Sequence, residues 1–236
     1  LSKSDLFKKI ALTENSDTQK KVNLSGILYS YEKEKDEIIN LFYNKYSKSN
    51  PLHPDIYPEI RDMEIDIINV CKNLYRGDKD CVGSLTTGGT ESILLACLTY
   101  RDYCKENNNI TNPNIVCFNT VHPAFDKASH YFNIHLIKCK NLNQIKRNIN
   151  QNTICVVASA PDYPYGIIDP IKEINEICLR KNKNLHIDAC MGGFIIPFIE
   201  DYSYINFSLT SITSISMDSH KYGYAPKGSS ILLFKH

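Results

Sequence analysis

A lysine becomes a useful nucleophile when its pKa is depressed and its geometry fixed, and a turn at a strand end can supply both. The segment Ser214-Ile-Ser-Met-Asp-Ser-His-Lys-Tyr-Gly-Tyr-Ala-Pro-Lys-Gly228 has that form: a strand runs into a turn holding His220 and Lys221, and a Gly/Pro link leads to the next strand. Its Asp-Ser-His order also suggests a Ser/His/Asp hydrolase. Adjacent residues rarely face one another, however, and the chain has no G-x-S-x-G elbow. A second group is His186-Ile-Asp188-Ala-Cys190, followed by Gly192-Gly193. Strand alternation puts residues 186, 188 and 190 on one side. A carboxylate at the end of a buried strand needs a partner. A protonated pyridine nitrogen, loop amides or, with His186 and Cys190, a metal ion would each serve.

A third group is Thr86-Thr-Gly-Gly-Thr-Glu-Ser92. Two glycines before a helix opening at residue 90 let backbone N–H groups crowd around an anion, with the helix dipole and the Thr90 hydroxyl adding to the attraction. A tight turn with Thr90 as N-cap accounts for the same residues. The pattern is neither a Walker loop nor G-x-G-x-x-G. His122, in Val121-His-Pro-Ala-Phe-Asp-Lys127, stands at a strand-to-helix junction, where an imidazole could stack on a flat ring or simply cap the helix. Asp162-Tyr-Pro-Tyr-Gly166 reads as a site-edge loop or a plain turn.

Positioning these residues takes a β-α alternation. Thr90–Lys105, Pro123–Phe132, Leu142–Ile149 and Pro170–Lys181 read as helices. Ile115–Phe118, Ile134–Cys139, Ile154–Ser159, Leu185–Asp188, Thr213–Met217 and Ser229–Phe234 read as strands. The alternation predicts an α/β sandwich around a mostly parallel sheet, whose ligands belong at the carboxyl ends of the strands. Upstream, Ile38, Ile39, Phe42 and Tyr46 recur at helical spacing. Pro51 and Pro54 break that helix, and a second runs from Ile60 to Leu74 with Gly77 as its cap. The first ~20 residues carry no strong period and read as an arm or linker. The reading divides the chain into an N-terminal helical segment, 1–78, and a large domain, 79–236.

The chain has 236 residues, 42% hydrophobic and 22% charged, with a formal net charge of +1. That balance gives no field to draw it to nucleic acid. Nine cysteines without Cys-x-x-Cys pairs argue for free thiols in a reducing compartment. No apolar run reaches the ~18–20 residues a bilayer span needs. The order of the motifs (an anion cradle, a stacking imidazole, an Asp on a strand, then His-Lys on a turn) matches what pyridoxal 5′-phosphate requires.

Five segments carry a family resemblance: Ser25-Gly-Ile-Leu-Tyr29, Ser49-Asn-Pro-Leu-His-Pro-Asp-Ile56, Thr87-Gly-Gly-Thr-Glu-Ser-Ile93, His186-Ile-Asp-Ala-Cys-Met-Gly-Gly-Phe194 and Asp218-Ser-His-Lys-Tyr-Gly-Tyr-Ala-Pro-Lys-Gly-Ser-Ser230. On these the chain resembles the pyridoxal-phosphate-dependent group II decarboxylase superfamily of fold type I and, within it, the sphingosine-1-phosphate lyases. The resemblance implies the large-domain fold of type I enzymes, preceded by a helical N-terminal arm. It also implies that Lys221 bonds the cofactor, Asp188 pairs with its ring nitrogen and His122 stacks on the ring. Gly89, Thr90 and His220 would hold the cofactor phosphate. Tyr29, Tyr165 and Lys227 would lie near the substrate phosphate or reacting carbon, and Cys190 close to the pocket. Asn50 and His53 would reach the site of the neighbouring subunit of a homodimer.

The activity implied is cleavage of the C2–C3 bond of a phosphorylated sphingoid base to a long-chain aldehyde and phosphoethanolamine. The chain ends at His236, shortly after Lys221, so the family's C-terminal small domain is expected to be missing from it. The implied location is the cytoplasm or, given an N-terminal anchor, the cytosolic face of the endoplasmic reticulum. Two alternatives stand beside this one. An amino-acid decarboxylase would call for an Arg or polar pocket for the substrate carboxylate, and a non-catalytic binding or assembly module would not need Lys221, Asp188 and His122 together.

Overall fold

The computed structural model describes residues 2–14 and 33–235. Three helices come first: α1 (Lys3–Glu14), α2 (Lys33–Tyr46) and α3 (Pro58–Leu74). Then follow β1 (Val82–Thr86), α4 (Gly89–Asn108), β2 (Asn114–Phe118), α5 (Ala124–Phe132), β3 (His135–Cys139) and α6 (Leu142–Asn148). The remainder is β4 (Thr153–Ser159), α7 (Ile171–Lys181), β5 (Leu185–Asp188), β6 (Ile212–Met217) and β7 (Ser230–Phe234). Two short 3-10 turns lie at Ile196–Phe198 and Glu200–Tyr202.

The strands form one sheet in the order β1-β7-β6-β5-β4-β2-β3. Strands β2 to β6 run parallel, while β7 is antiparallel to both β6 and β1. The expected mostly parallel sheet with flanking helices is therefore present, and it is the fold type I arrangement. Every residue of β4 and β5 is buried, as strands covered on both faces must be. On one face α4 and α5 pack Ile93, Cys97, Tyr100 and Phe125 against Ile115, Ile154 and Val157. On the other, α3, α6 and α7 bring Cys71, Tyr75, Ile145, Ile171 and Ile174 to Val116, Val156, Ile187, Ile215 and Leu233.

Several local expectations are corrected. Helix α4 opens at Gly89 with Gly88 as N-cap, one residue before the expected start, so Thr90 is not the cap. Gly88 (φ 156°, ψ 168°) sits in a region essentially reserved for glycine. Glu91 closes the first turn instead, accepting from the Thr87 N–H at 2.6 Å and the Thr87 hydroxyl at 2.7 Å. At the end of α3 the left-handed residue is Arg76 (φ 54°), not Gly77. Gly77 is needed for space, since a Cβ there would meet Cys81 Sγ at 2.8 Å. Residues 3–14, read as an arm without period, form α1. Strand β1 had no sequence signal, because Val-Gly-Ser-Leu-Thr is short and its partner β7 lies some 150 residues away in the chain. Helix α3, assigned to the N-terminal segment, contributes Cys71 and Tyr75 to the core, and Tyr75 donates to the Gly193 carbonyl at 2.8 Å.

The abundance of asparagine has a structural use. Helices α4, α5 and α7 end on Asn109, Asn133 and Asn182, each left-handed (φ 55°, 53° and 50°). Asparagine tolerates that conformation better than other residues with a side chain. The nine cysteines are all free and buried. Among the described residues no helix is long and apolar enough to cross a membrane, and no group of three His, Cys, Asp or Glu side chains could hold a metal.

Candidate active site

The carboxyl ends of β1, β4, β5 and β6 come to one edge of the sheet. Register pairs Ser159 with Asp188 and Asp188 with Ser216, so the ends of β4, β5 and β6 lie side by side. A cavity of about 350 Å³ opens there, lined by Thr87 to Glu91, Ile93, His122, Cys190, Asp218, His220 and Lys221. Of the candidates, Gly89, Thr90, His122, His220, Lys221 and Cys190 are thus brought together by loops more than a hundred residues apart.

Each wall has a local cause. The first N–H groups of α4 have no intrahelical acceptor, and here they face a cavity at a positive helix end. Gly89 is required by packing: a Cβ there would sit 2.8 Å from Asp218 Oδ1, 2.9 Å from Asp218 Oδ2 and 2.8 Å from Cys190 Sγ. The His122 ring is anchored, its Nδ1 accepting from the Ala124 N–H at 3.1 Å. It therefore caps α5 and lines the cavity at once, and Tyr163 meets it edge-on with centroids 5.2 Å apart. His220 is held by the Ser229 N–H, which donates to its Nδ1 at 3.0 Å. Lys221 Nζ lies 2.8 Å from Asp218 Oδ2. Burial draws the Lys221 pKa down, but the Asp218 charge and hydrogen bond, with Cys190 and Asp188 adding to them, more than offset this and raise it, so the turn fixes the lysine's geometry but does not supply the depressed pKa expected of it.

Asp188 is buried at the end of β5 and does not itself line the cavity; Cys190 does. Its Oδ1 accepts from the Cys190 N–H at 3.1 Å, so the loop-amide alternative is realised for one of its two oxygens. His186 is committed elsewhere, its Nδ1 2.7 Å from Ser214 Oγ and its Nε2 3.3 Å from Ser216 Oγ. Fully buried, it has its pKa lowered to about 3 by desolvation and is neutral. The Cys190 thiol donates to Ser216 Oγ at 3.4 Å. Burial, then Asp188 and Asp218, push its pKa well up, so it stays a thiol despite Ser216 and Lys221.

The other candidates stand further off. Lys227 Nζ donates to the His220 carbonyl at 3.0 Å, which puts a second cation beside the cavity wall. Tyr165 is exposed on the loop after β4, its N–H donating to Asp162 Oδ1 at 3.0 Å. Asn50 and His53 lie exposed between α2 and α3, and neither lines this cavity. Tyr29 falls outside the described residues. Sequence reasoning gave no cofactor-site role to Asp218, and none at all to Ser229. The spacing of Asp218 three residues before Lys221 inside a tight turn was the available signal; the Ser229 contact needs β7 in place.

The residues present fit pyridoxal phosphate. Amides at a helix start and His220 suit a phosphate, and His122 suits a ring face. The cradle at Gly89 leaves no room for a side chain. A buried carboxylate oxygen, Asp218 Oδ1, has no hydrogen-bond partner among the described residues and belongs to a residue of the cavity wall.

A family model described as the pyridoxal-dependent decarboxylase conserved domain matches residues 45–236. The chain is 43% identical over 224 residues to sphingosine-1-phosphate lyase 1 of Rattus norvegicus, covering 90% of this chain and 39% of that protein. Against the sphingosine-1-phosphate lyase of Drosophila melanogaster it is 42% identical over 223 residues, 89% of this chain and 41% of that one. The solved structure of the Burkholderia pseudomallei sphingosine-1-phosphate lyase matches with a TM-score of 0.93 at 31% identity, over 100% of this chain and 59% of that one. The chain spans about two fifths of the length of the curated relatives it matches. A lysine turn, a glycine cradle and a capped imidazole at one sheet edge thus agree with a match over most of the chain, which belongs to the pyridoxal-dependent decarboxylase family, with pyridoxal 5′-phosphate as its cofactor.

Proposed function

We propose that the protein to which this chain belongs is a lyase that cleaves the C2–C3 bond of sphingoid base 1-phosphates, releasing a long-chain aldehyde and phosphoethanolamine. The observation that carries this is the identity of about 40% over nine tenths of the chain to relatives named sphingosine-1-phosphate lyase. The position of Lys227 beside His220 supports it, since a phosphorylated substrate needs a cation near the cavity.

Lys221 would bond the cofactor, Asp188 would face its ring nitrogen, His122 would cover the ring, and Gly89, Thr90 and His220 would hold its phosphate. When bound, the cofactor supplies a sink for the electron pair left by the broken bond. In the substrate, the C3 hydroxyl loses a proton, C3 leaves as the aldehyde, and C2 takes up a proton. Asp188 would pair with a protonated pyridine nitrogen from its place at the end of β5, behind Cys190. Lys227, Tyr165 and Tyr29 would lie near the substrate phosphate or the reacting carbon.

The neighbouring subunit of a homodimer would contribute Asn50 and His53. Helix α2 supports a partner surface, since Ile38, Leu41, Phe42 and Tyr43 are exposed along it, as are Leu52 and Ile56 in the following loop. Nine free, buried cysteines support a reducing compartment, the cytoplasm or the cytosolic face of the endoplasmic reticulum membrane.

The experiment supplies the purified protein, with pyridoxal phosphate, with a phosphorylated sphingoid base, glutamate or tyrosine. Aldehyde from the first and no carbon dioxide from the others is expected, and Lys221→Ala should abolish both the visible cofactor band and the aldehyde. Carbon dioxide from an amino acid would instead make the protein a decarboxylase.

A further inference from the structure

Half-buried Lys221 shares the cavity wall with a buried acid. Asp218 is 2% exposed at the end of β6, with Oδ2 2.8 Å from Lys221 Nζ and Oδ1 unpartnered among the described residues. His220 Nδ1 accepts from the Ser229 N–H, so the neutral ring carries its proton on Nε2, which faces Asp218 Oδ2 at 3.6 Å. Lys221 is the sole lysine or arginine among the described residues lining the cavity. A carboxylate this deeply buried needs a counter-charge, and removing it would leave that charge unpaired.

We propose that Asp218 is the positioning residue of Lys221: it pins the side-chain nitrogen at the cavity wall and keeps it an ammonium whenever that nitrogen is not bonded to the cofactor. The proposal rests on the reading of Lys221 as the cofactor lysine. The titratable groups that line the cavity with Lys221 are Asp218 and His220 from its own turn, Cys190 after β5, His122 before α5 and Glu91 from α4, and Asp188 acts on its charge from the end of β5. Asp218 alone among them makes an ion pair with Nζ. The consequence is a proton balance that closes inside the site. A substrate ammonium must shed one proton before its amine reacts, and the released Lys221 amine takes up one to become an ammonium. The lysine is thereby left as a positioned acid against a fixed carboxylate, and no proton need be exchanged with solvent.

The test follows the ionisation of Lys221 by nuclear magnetic resonance, in the full chain freed of cofactor and labelled at its lysine side chains. In the wild type Lys221 should titrate at higher pH than the exposed lysines of the same sample. Asp218→Asn should lower that midpoint by about one pH unit or more, and Asp218→Glu should restore most of the loss. The proposal is overturned if wild-type Lys221 titrates at or below the exposed lysines, or if Asp218→Asn leaves its midpoint in place. Should the Asn variant fail to fold, the wild-type titration alone decides. A raised Lys221 midpoint in a protein that never gains a visible band with pyridoxal phosphate would sink the cofactor reading and leave the ion pair standing.

Discussion

Asp169 shows how a residue with no catalytic task shapes the behaviour of the site's edge. Its Oδ2 accepts from the Ser159 N–H at 2.7 Å, tying the loop that carries Tyr163 and Tyr165 to the end of β4. Burial raises its pKa from 3.8 to about 7; the Ser159 hydrogen bond opposes this, and Asp162 and Asp188 add to it. The folded state therefore holds a proton that the unfolded chain has lost over that interval, and stability falls as pH rises from about 4 towards 7. His186 acts in the opposite sense, because its lowered pKa removes stability as pH falls from 6.5 towards 3. Asp169→Asn keeps an oxygen for the Ser159 N–H and removes the titration. Urea unfolding of wild type and variant at about pH 4 and pH 8 should then differ in slope with pH, by on the order of 4 kcal/mol across the interval. An unchanged slope would mean that Asp169 is not protonated in the folded state.

The elements behind the site are joined by a column of buried polar groups. Tyr100 of α4 shares its hydroxyl with Thr213 at 2.7 Å and Ser214 at 2.5 Å. Ser214 meets His186 Nδ1, and Ser216 links His186 Nε2 to Cys190 at the cavity wall. One consistent assignment has each group donate once, from Cys190 through Ser216, His186, Ser214 and Tyr100 to Thr213. Satisfied throughout, such a column costs little, but a single gap leaves a buried donor unpaired. Ser214→Ala should leave His186 Nδ1 without a partner and lower the unfolding free energy by about 1–3 kcal/mol, with the denaturant m-value unchanged. A loss within experimental error would show that water or Thr213 substitutes for the hydroxyl. The column was invisible in the sequence because its members come from α4, β5 and β6, which meet only once the sheet has formed.

For the whole molecule, α2 presents an exposed apolar surface made by Ile38, Leu41, Phe42 and Tyr43. Its described side chains are almost all exposed, and one of its contacts is Lys35 over the Tyr224 ring at 5.3 Å. If a second copy covers it, replacing Leu41 and Phe42 together by glutamate should weaken self-association by at least about tenfold, read by sedimentation across a dilution series. The monomer's fold should survive, because neither side chain is buried in it. A wild-type chain that sediments as a monomer at all concentrations would remove the basis for a shared site.

What the sequence determined by itself was the part written in local pattern. Helical periodicity and short apolar runs placed most helices and six of the seven strands among the described residues to within a residue or two, and the order of the motifs along the chain pointed to Lys221, Asp188, His122 and the glycine cradle as candidates. What only the tertiary structure decided was contact. Strand β1 depends on β7, the partner of Lys221 is Asp218, Asp188 stands behind Cys190, and His186 serves the core instead of a ligand. The physical reason is that periodicity reports which face of an element is buried, while hydrogen-bond and charge partners are set by elements distant in sequence.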